Sequence, residues 1–78
     1  MSAIDLAREA RAVLENEAFK HACSQIEQKC FYLWRGSYPN DTAERETAYQ
    51  LIQALDHLKT ELQIILDNGE IAAQRQEK

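Results

Sequence analysis

Two cysteines and two histidines are the side chains in this sequence best suited to metal binding or to redox chemistry. Cys23 and Cys30 are seven residues apart on a predicted helix, so about 10 Å separates them, too far for a disulfide. His21 and Cys23 point about 200° apart around that helix, and the spacings typical of zinc ligands are missing. His57 stands alone on another predicted helix. We therefore expect no metal and no cofactor, and predict that both cysteines are small buried residues.

Acid–base catalysis has equally little support in the residue pattern. Glu15 and Glu17 are two residues apart, as are Glu44 and Glu46, and this spacing points each pair to different faces of a helix. No serine or cysteine nucleophile is placed in register with His57 by the spacing. We predict that the protein is not an enzyme.

The segment 31–41, Phe-Tyr-Leu-Trp-Arg-Gly-Ser-Tyr-Pro-Asn-Asp, has the most distinctive composition in the chain. It holds four of the six aromatic residues and the single proline. Tryptophan, tyrosine and arginine dominate the energetics of many protein interfaces. We predict a partner contact at Trp34, Arg35 and Tyr38.

The same segment has a second interpretation, in which its apolar side chains close the end of a core. Phe31, Leu33 and Trp34 then pack inside, with Tyr38 over them, and only their edges remain for contact. In both interpretations Gly36 to Asn40 reverse the chain.

Three helices must position these groups. A 3-4-3-4-3 spacing of apolar residues predicts a helix over residues 42–67, with Asp41 and Glu44 as a capping box. Residues 42–67 form the third predicted helix, α3, and we call this spacing the α3 seam; it comprises Ala48, Leu51, Leu55, Leu58, Leu62 and Ile65. Asn68-Gly69 predicts the end of that helix, followed by a short helical turn.

The first half of the chain predicts a helix over about 3–15, capped by Ser2 with Asp5, and another over about 17–35. Asn16 lies in a five-residue gap between two apolar stripes and is a competent N-cap, so we expect a break there. The alternative is one continuous helix of about 33 residues, roughly 50 Å long.

We therefore predict an all-α, single-domain chain over 1–78, with 74–78 frayed. Its centre is an antiparallel hairpin of helices 17–35 and 42–67 that assembles into a helical bundle. The chain has more apolar positions than one hairpin can bury, so we predict a homodimer or higher oligomer. The seam residues expected to form the core or the oligomer contact are Phe19, Ile26, Leu51, Leu55, Leu58, Leu62 and Ile65.

Length and charge narrow the choice of partner. The 78 residues carry a net charge of −4, and residues 36–78 hold eight acids against four bases. Such an acidic half argues against nucleic-acid binding, because duplex affinity depends on phosphate neutralisation. No run of about 20 apolar residues predicts a membrane span, and no signal peptide is apparent. We expect a soluble cytoplasmic protein.

The chain resembles a family at a set of spaced positions between residues 13 and 73. These are Leu14-Glu-Asn-Glu-Ala-Phe19, Trp34-Arg35, Asp41, Arg45-Glu46, Tyr49, Leu55, Leu58, Leu62 and Asn68-Gly69-Glu-Ile-Ala72. The pattern is similar to short, uncharacterised helical proteins encoded among the head and packaging genes of tailed bacteriophages and prophages. Asn16-Glu17 departs from it, since a helix-breaking pair often precedes the phenylalanine there.

This resemblance implies a role in virion assembly, in a bacterial cytoplasm or within the particle, and transfers no catalytic or binding residue. We therefore expect a non-enzymatic, oligomerising protein that contacts a phage structural protein. One alternative is a phage-encoded inhibitor of a host protein that uses the acidic second half. Another is a DNA-packaging or DNA-binding accessory subunit, against which an unshifted duplex at low salt would count.

Overall fold

The computed structural model describes residues 1–36 and 42–76, which form three helices and no strand. The helices are α1 (Ala3–Glu15), α2 (Glu17–Gly36) and α3 (Thr42–Gln76). The all-α class and the helical hairpin are therefore confirmed. The predicted turn and Asp41 cap lie outside the described residues.

Both caps predicted in the first half are present. The Ser2 hydroxyl accepts a hydrogen bond from the Asp5 amide at 3.1 Å, and the Asp5 carboxylate accepts one from the Ser2 amide at 3.4 Å. These bonds satisfy amides that have no partner within the first turn of a helix. The capping box therefore fixes the start of α1.

Asn16 separates α1 from α2, so the break is confirmed and the continuous helix is wrong. Its backbone is extended, with φ −69° and ψ 127°. Its side-chain oxygen accepts a hydrogen bond from the Phe19 amide at 2.8 Å, and its carbonyl accepts one from Lys20 at 3.0 Å. One residue thus ends the first helix and caps the second.

The predicted end of the last helix at residue 67 is wrong, and so is the separate C-terminal turn. Helix α3 continues through Asn68 and Gly69 to Gln76 without a break. Gly69 has no positive φ. A Cβ built on it would lie only 2.0 Å from Ala7 Cβ and 2.8 Å from the Ala3 carbonyl oxygen. The glycine therefore permits a close helix contact instead of a left-handed cap.

Helices α1 and α2 pack one after the other along α3, and they touch each other least. The molecule measures 59 × 21 × 16 Å, with a radius of gyration of 17.1 Å. A compact chain of this length would have a radius near 11.5 Å (about 2.2·N^0.38). The fold is therefore a long, thin hairpin, with one arm broken at Asn16.

The interior of this hairpin is made mainly of small side chains. In the described parts of the chain its buried hydrophobic residues are Ala7, Ala10, Cys23, Cys30, Ala48 and Leu55, and Gly69 is buried as well. Among residues 1–36 and 42–76 no large side chain falls below 2% exposure. Burial of both cysteines, as predicted, is confirmed. A single hairpin thus leaves much of its apolar surface in contact with solvent.

Candidate protein-contact surfaces

The α3 seam divides into a buried half and a half-exposed half. Ala48 and Leu55 are buried, at 3% and 7% exposure. Leu51 and Leu58, which alternate with them, are 45% and 49% exposed. The seam therefore predicted the helix correctly, but between Ala48 and Leu58 only every second position faces the partner helix within the chain.

The same division places the other predicted seam residues. Ile26 is 37% exposed, whereas Phe19, Leu62 and Ile65 are half-buried. The set expected to form the core or an oligomer contact is thus mixed. Leu55 belongs to the core, and Ile26, Leu51 and Leu58 lie at the surface.

Several half-exposed aliphatic residues fall on one side of the hairpin. Leu33 and Glu44 line the same depression. Leu51 and Leu58 follow Glu44 by one and two heptads, so they lie on its side of α3. Ile26 precedes Leu33 by seven residues and shares its side of α2.

Helix α1 continues this surface. Arg11 pairs with Glu70 at 3.2 Å on the other side of the hairpin, the side on which Lys59 meets Glu27. Leu6 and Val13 are 44% and 38% exposed, and the helical period turns them away from Arg11. We define the aliphatic flank by its half-exposed members, which are Leu6, Val13, Ile26, Leu33, Leu51 and Leu58.

The opposite side carries an aromatic groove between α2 and α3, near the end of the hairpin where the chain turns. The groove has a volume of about 360 Å³, and its floor includes Cys30 and Ala48. Phe31, Trp34 and Tyr49 line it and are 55%, 59% and 62% exposed. We define the aromatic groove by these five residues with Glu27 and Ile52.

The expectation that the aromatic residues close the core is wrong for Phe31 and Trp34. Both are more than half exposed, and Leu33 is 38% exposed. Cys30 and Ala48 meet between the helices instead, so the rings remain outside at the edge of the groove. The Phe31 ring makes an edge-to-face contact with Tyr32 at 6.1 Å, which adds to the aromatic surface.

The predicted partner-contact residues are partly brought together. Trp34 lines the groove and Arg35, the next residue, is exposed. Tyr38 lies outside the described residues. Sequence reasoning missed Tyr49, which follows the buried Ala48 and completes the groove from α3. Its hydroxyl accepts a hydrogen bond from Gln53 Nε2 at 2.9 Å, which holds the ring on the groove side.

An ion pair borders the groove on its inner side. Lys59 Nζ donates to Glu27 Oε1 at 2.9 Å, linking α3 to α2. This hydrogen bond raises the pKa of the Lys59 ammonium above its ordinary value. The Lys59 ammonium therefore stays charged at neutral pH, and its hydrogen bond links the two helices.

Within residues 1–36 and 42–76, no group of three or more histidine, cysteine or acidic side chains could hold a metal ion. His57 is exposed, while Cys23 and Cys30 are buried free thiols. Arg11 pairs with Glu70.

Searches against protein-family models, curated proteins and solved structures returned no match for this chain. Across the described parts of the chain, none of the helices has the length and apolar character needed to cross a membrane.

Proposed function

We propose that this chain is a non-enzymatic, self-associating helical protein whose aromatic groove binds another protein. The observation that carries the proposal is the exposure of Phe31, Trp34 and Tyr49 around a preformed groove. Exposed clusters of large apolar side chains mark interaction surfaces on small proteins. Tryptophan and tyrosine also contribute most of the binding energy at many interfaces.

The setting that we propose is the assembly of a bacteriophage particle, in the cytoplasm of a bacterial host. It rests on the resemblance described in the sequence analysis. Its consequence is a definite class of partner, namely a capsid, portal or terminase protein. We do not propose an acid–base active site in this chain.

The test is affinity capture of the tagged protein from infected cells, followed by identification of the captured chains. We expect a phage structural protein to be recovered with the wild type. The Trp34→Ala variant should lose it, because the variant removes one wall of the aromatic groove. Ile71→Ala is a matched control, since Ile71 is 48% exposed at the far end of α3. Equal capture by both variants would contradict a role for the groove.

A second candidate is an inhibitor that covers a basic surface of a host protein with α3. Between residues 42 and 76 this helix carries six acids against three bases, and such an excess favours a basic target. The same capture experiment separates the two candidates, because inhibition predicts that a host enzyme is recovered. Recovery should then fall steeply as salt is raised.

A further inference from the structure

The aliphatic flank repeats every seven residues in each helix. Leu6 and Val13 are seven apart in α1, as are Ile26 and Leu33 in α2. On α3, Leu51, Leu58 and Ile65 follow the same interval. A heptad repeat keeps its apolar side chains on one line only against another helix that runs alongside. Within the chain that line lies at the edge of the helix contact, so the repeat lacks a facing helix.

The dimensions of this flank suit a stable dimer. From residue 44 to residue 72, α3 extends about 42 Å at 1.5 Å per residue. The hairpin is 21 Å across. The side of the hairpin that carries the flank therefore measures roughly 800 Å² on each copy and about 1,600 Å² in a pair, which is the size of an ordinary specific interface.

The hairpin also has a physical need for such a cover. Five of its six buried hydrophobic residues are alanine or cysteine. Small domains with so little buried apolar area are usually stabilised by oligomerisation, disulfides or metals. Its cysteines are free, and seven residues on one helix keep them apart. Of these three ways to stabilise a small domain, oligomerisation is the one that remains for the described part of the chain.

We propose that a second copy of the chain covers the aliphatic flank, forming an antiparallel four-helix bundle. This inference deepens the self-association in the proposed function and names its surface. A copy of the hairpin presents two parallel lines of aliphatic side chains with the same heptad spacing. A single helix from another protein would cover only the channel between the two lines.

Charge selects one of the two symmetric ways to stack the copies. Helix α3 carries six acids and three bases, a net charge of −3, whereas residues 1–36 carry five of each. Stacking α3 on α3 brings two negative helices together, which is repulsive. In our proposal α2 therefore lies over α3 of the other copy. The two-fold axis then runs along the hairpin, and both N-termini lie at the same end.

The experiment measures mass and geometry together. Sedimentation of the wild type at micromolar concentration should give twice the 9.0 kDa of the chain. Leu51→Gln with Leu58→Gln should shift the mass to a helical monomer. Phe31→Gln with Tyr49→Gln, on the aromatic side, should leave the dimer intact. A wild type that sediments as a monomer, or a dimer that only the aromatic variant dissociates, would overturn the proposal.

A second measurement keeps the test valid if the flank variant does not fold. Spin labels at the N-termini of the wild-type dimer should lie about 20–30 Å apart, given the interaxial spacing in bundles. The other stacking would place them near opposite ends of a 59 Å molecule, and a distance of that order would refute our arrangement. A wild type that is monomeric in both measurements and still captures its partner would refute this inference and leave the role of the aromatic groove standing.

Discussion

The two halves of the hairpin bring their helices together in different ways. Where α1 meets α3, Ala7 approaches Gly69 so closely that even a methyl group on the glycine would collide. Where α2 meets α3, Cys30 and Ala48 meet, and large rings remain outside as the walls of a groove. Small residues therefore give a tight helix contact where α1 packs on α3 and leave an exposed aromatic surface where α2 packs on α3. We propose that the open end of this long helix serves recognition, while the tight contact at the other end holds α1 against α3.

The largest expected effect tests whether the half formed by α2 and α3 has a core of its own. Leu55→Ala should lower the free energy of unfolding by about 2–5 kcal/mol, because it removes the large aliphatic side chain that the hairpin buries best. Urea unfolding followed by circular dichroism would measure it. Ile64→Ala is the control, since Ile64 is 43% exposed. Similar losses in both variants would mean that Leu55 has no special place in the packing.

Gly69→Ala tests the tight packing of α1 on α3, which distinguishes this half of the hairpin from the other. The new methyl group would lie in the space that Ala7 occupies, so we expect a loss of roughly 1–3 kcal/mol. This loss should occur although alanine favours a helix over glycine by about 1 kcal/mol. Thermal unfolding would measure it. Gly36→Ala is a matched control, because nothing lies within 4 Å of the added carbon. A Gly69→Ala variant as stable as the wild type would refute the tight contact.

Substitution in the aromatic groove should affect partner capture and leave stability nearly unchanged. Trp34→Ala should change stability by less than about 1 kcal/mol, since the side chain is 59% exposed. Its main effect should be on partner capture. Thermal unfolding and capture should be measured on the same preparation. A large loss of stability would return Trp34 to the core and remove the contrast between the two ends.

The smallest expected effect concerns the ion pair between Lys59 on α3 and Glu27 on α2. Lys59→Gln should cost about 0–1 kcal/mol, as is usual for pairs near the surface. The Glu27 contact raises the pKa of Lys59 in the folded protein. The contribution of the ion pair to stability is therefore fully present below the pKa of lysine in the unfolded chain, about 10.4. It is lost as pH rises through the higher pKa of the folded state. Denaturation at pH 7 and pH 11 would show this loss in the wild type and not in Lys59→Gln. Lys20→Gln, which breaks a pair with Glu17 within α2, is the control.

Local hydrogen bonding explains why some of the fold was predictable. Ser2 and Asn16 act on amides three residues away, so their roles can be inferred from the neighbouring residues alone. Gly69 could not be assigned in this way. A glycine that ends a helix and one that admits a neighbouring helix have the same local pattern. The difference lies in Ala7, more than sixty residues earlier in the chain.

The surfaces were less predictable for a related reason. A heptad seam indicates that Leu51 and Leu55 face helices, but not whether those helices belong to the same chain. In the structure Leu55 is buried and Leu51 is at the surface. Phe31 and Trp34 were expected inside because they are apolar. The small size of Cys30 and Ala48 allows the helices to meet without them, and this outcome depends on the pairing of two distant segments.

The close contact between Ala7 and Gly69 also sets an order of events during synthesis. Helix α1 packs on the last part of α3, so it cannot dock until Gly69, more than sixty residues after Ala7, has been synthesised. At about 5–20 residues per second this delay lasts several seconds. During that time the amphipathic segment of α1 lacks the surface on which it packs, while α2 and the first half of α3 can already pair. The hairpin therefore closes from the turn towards the two termini.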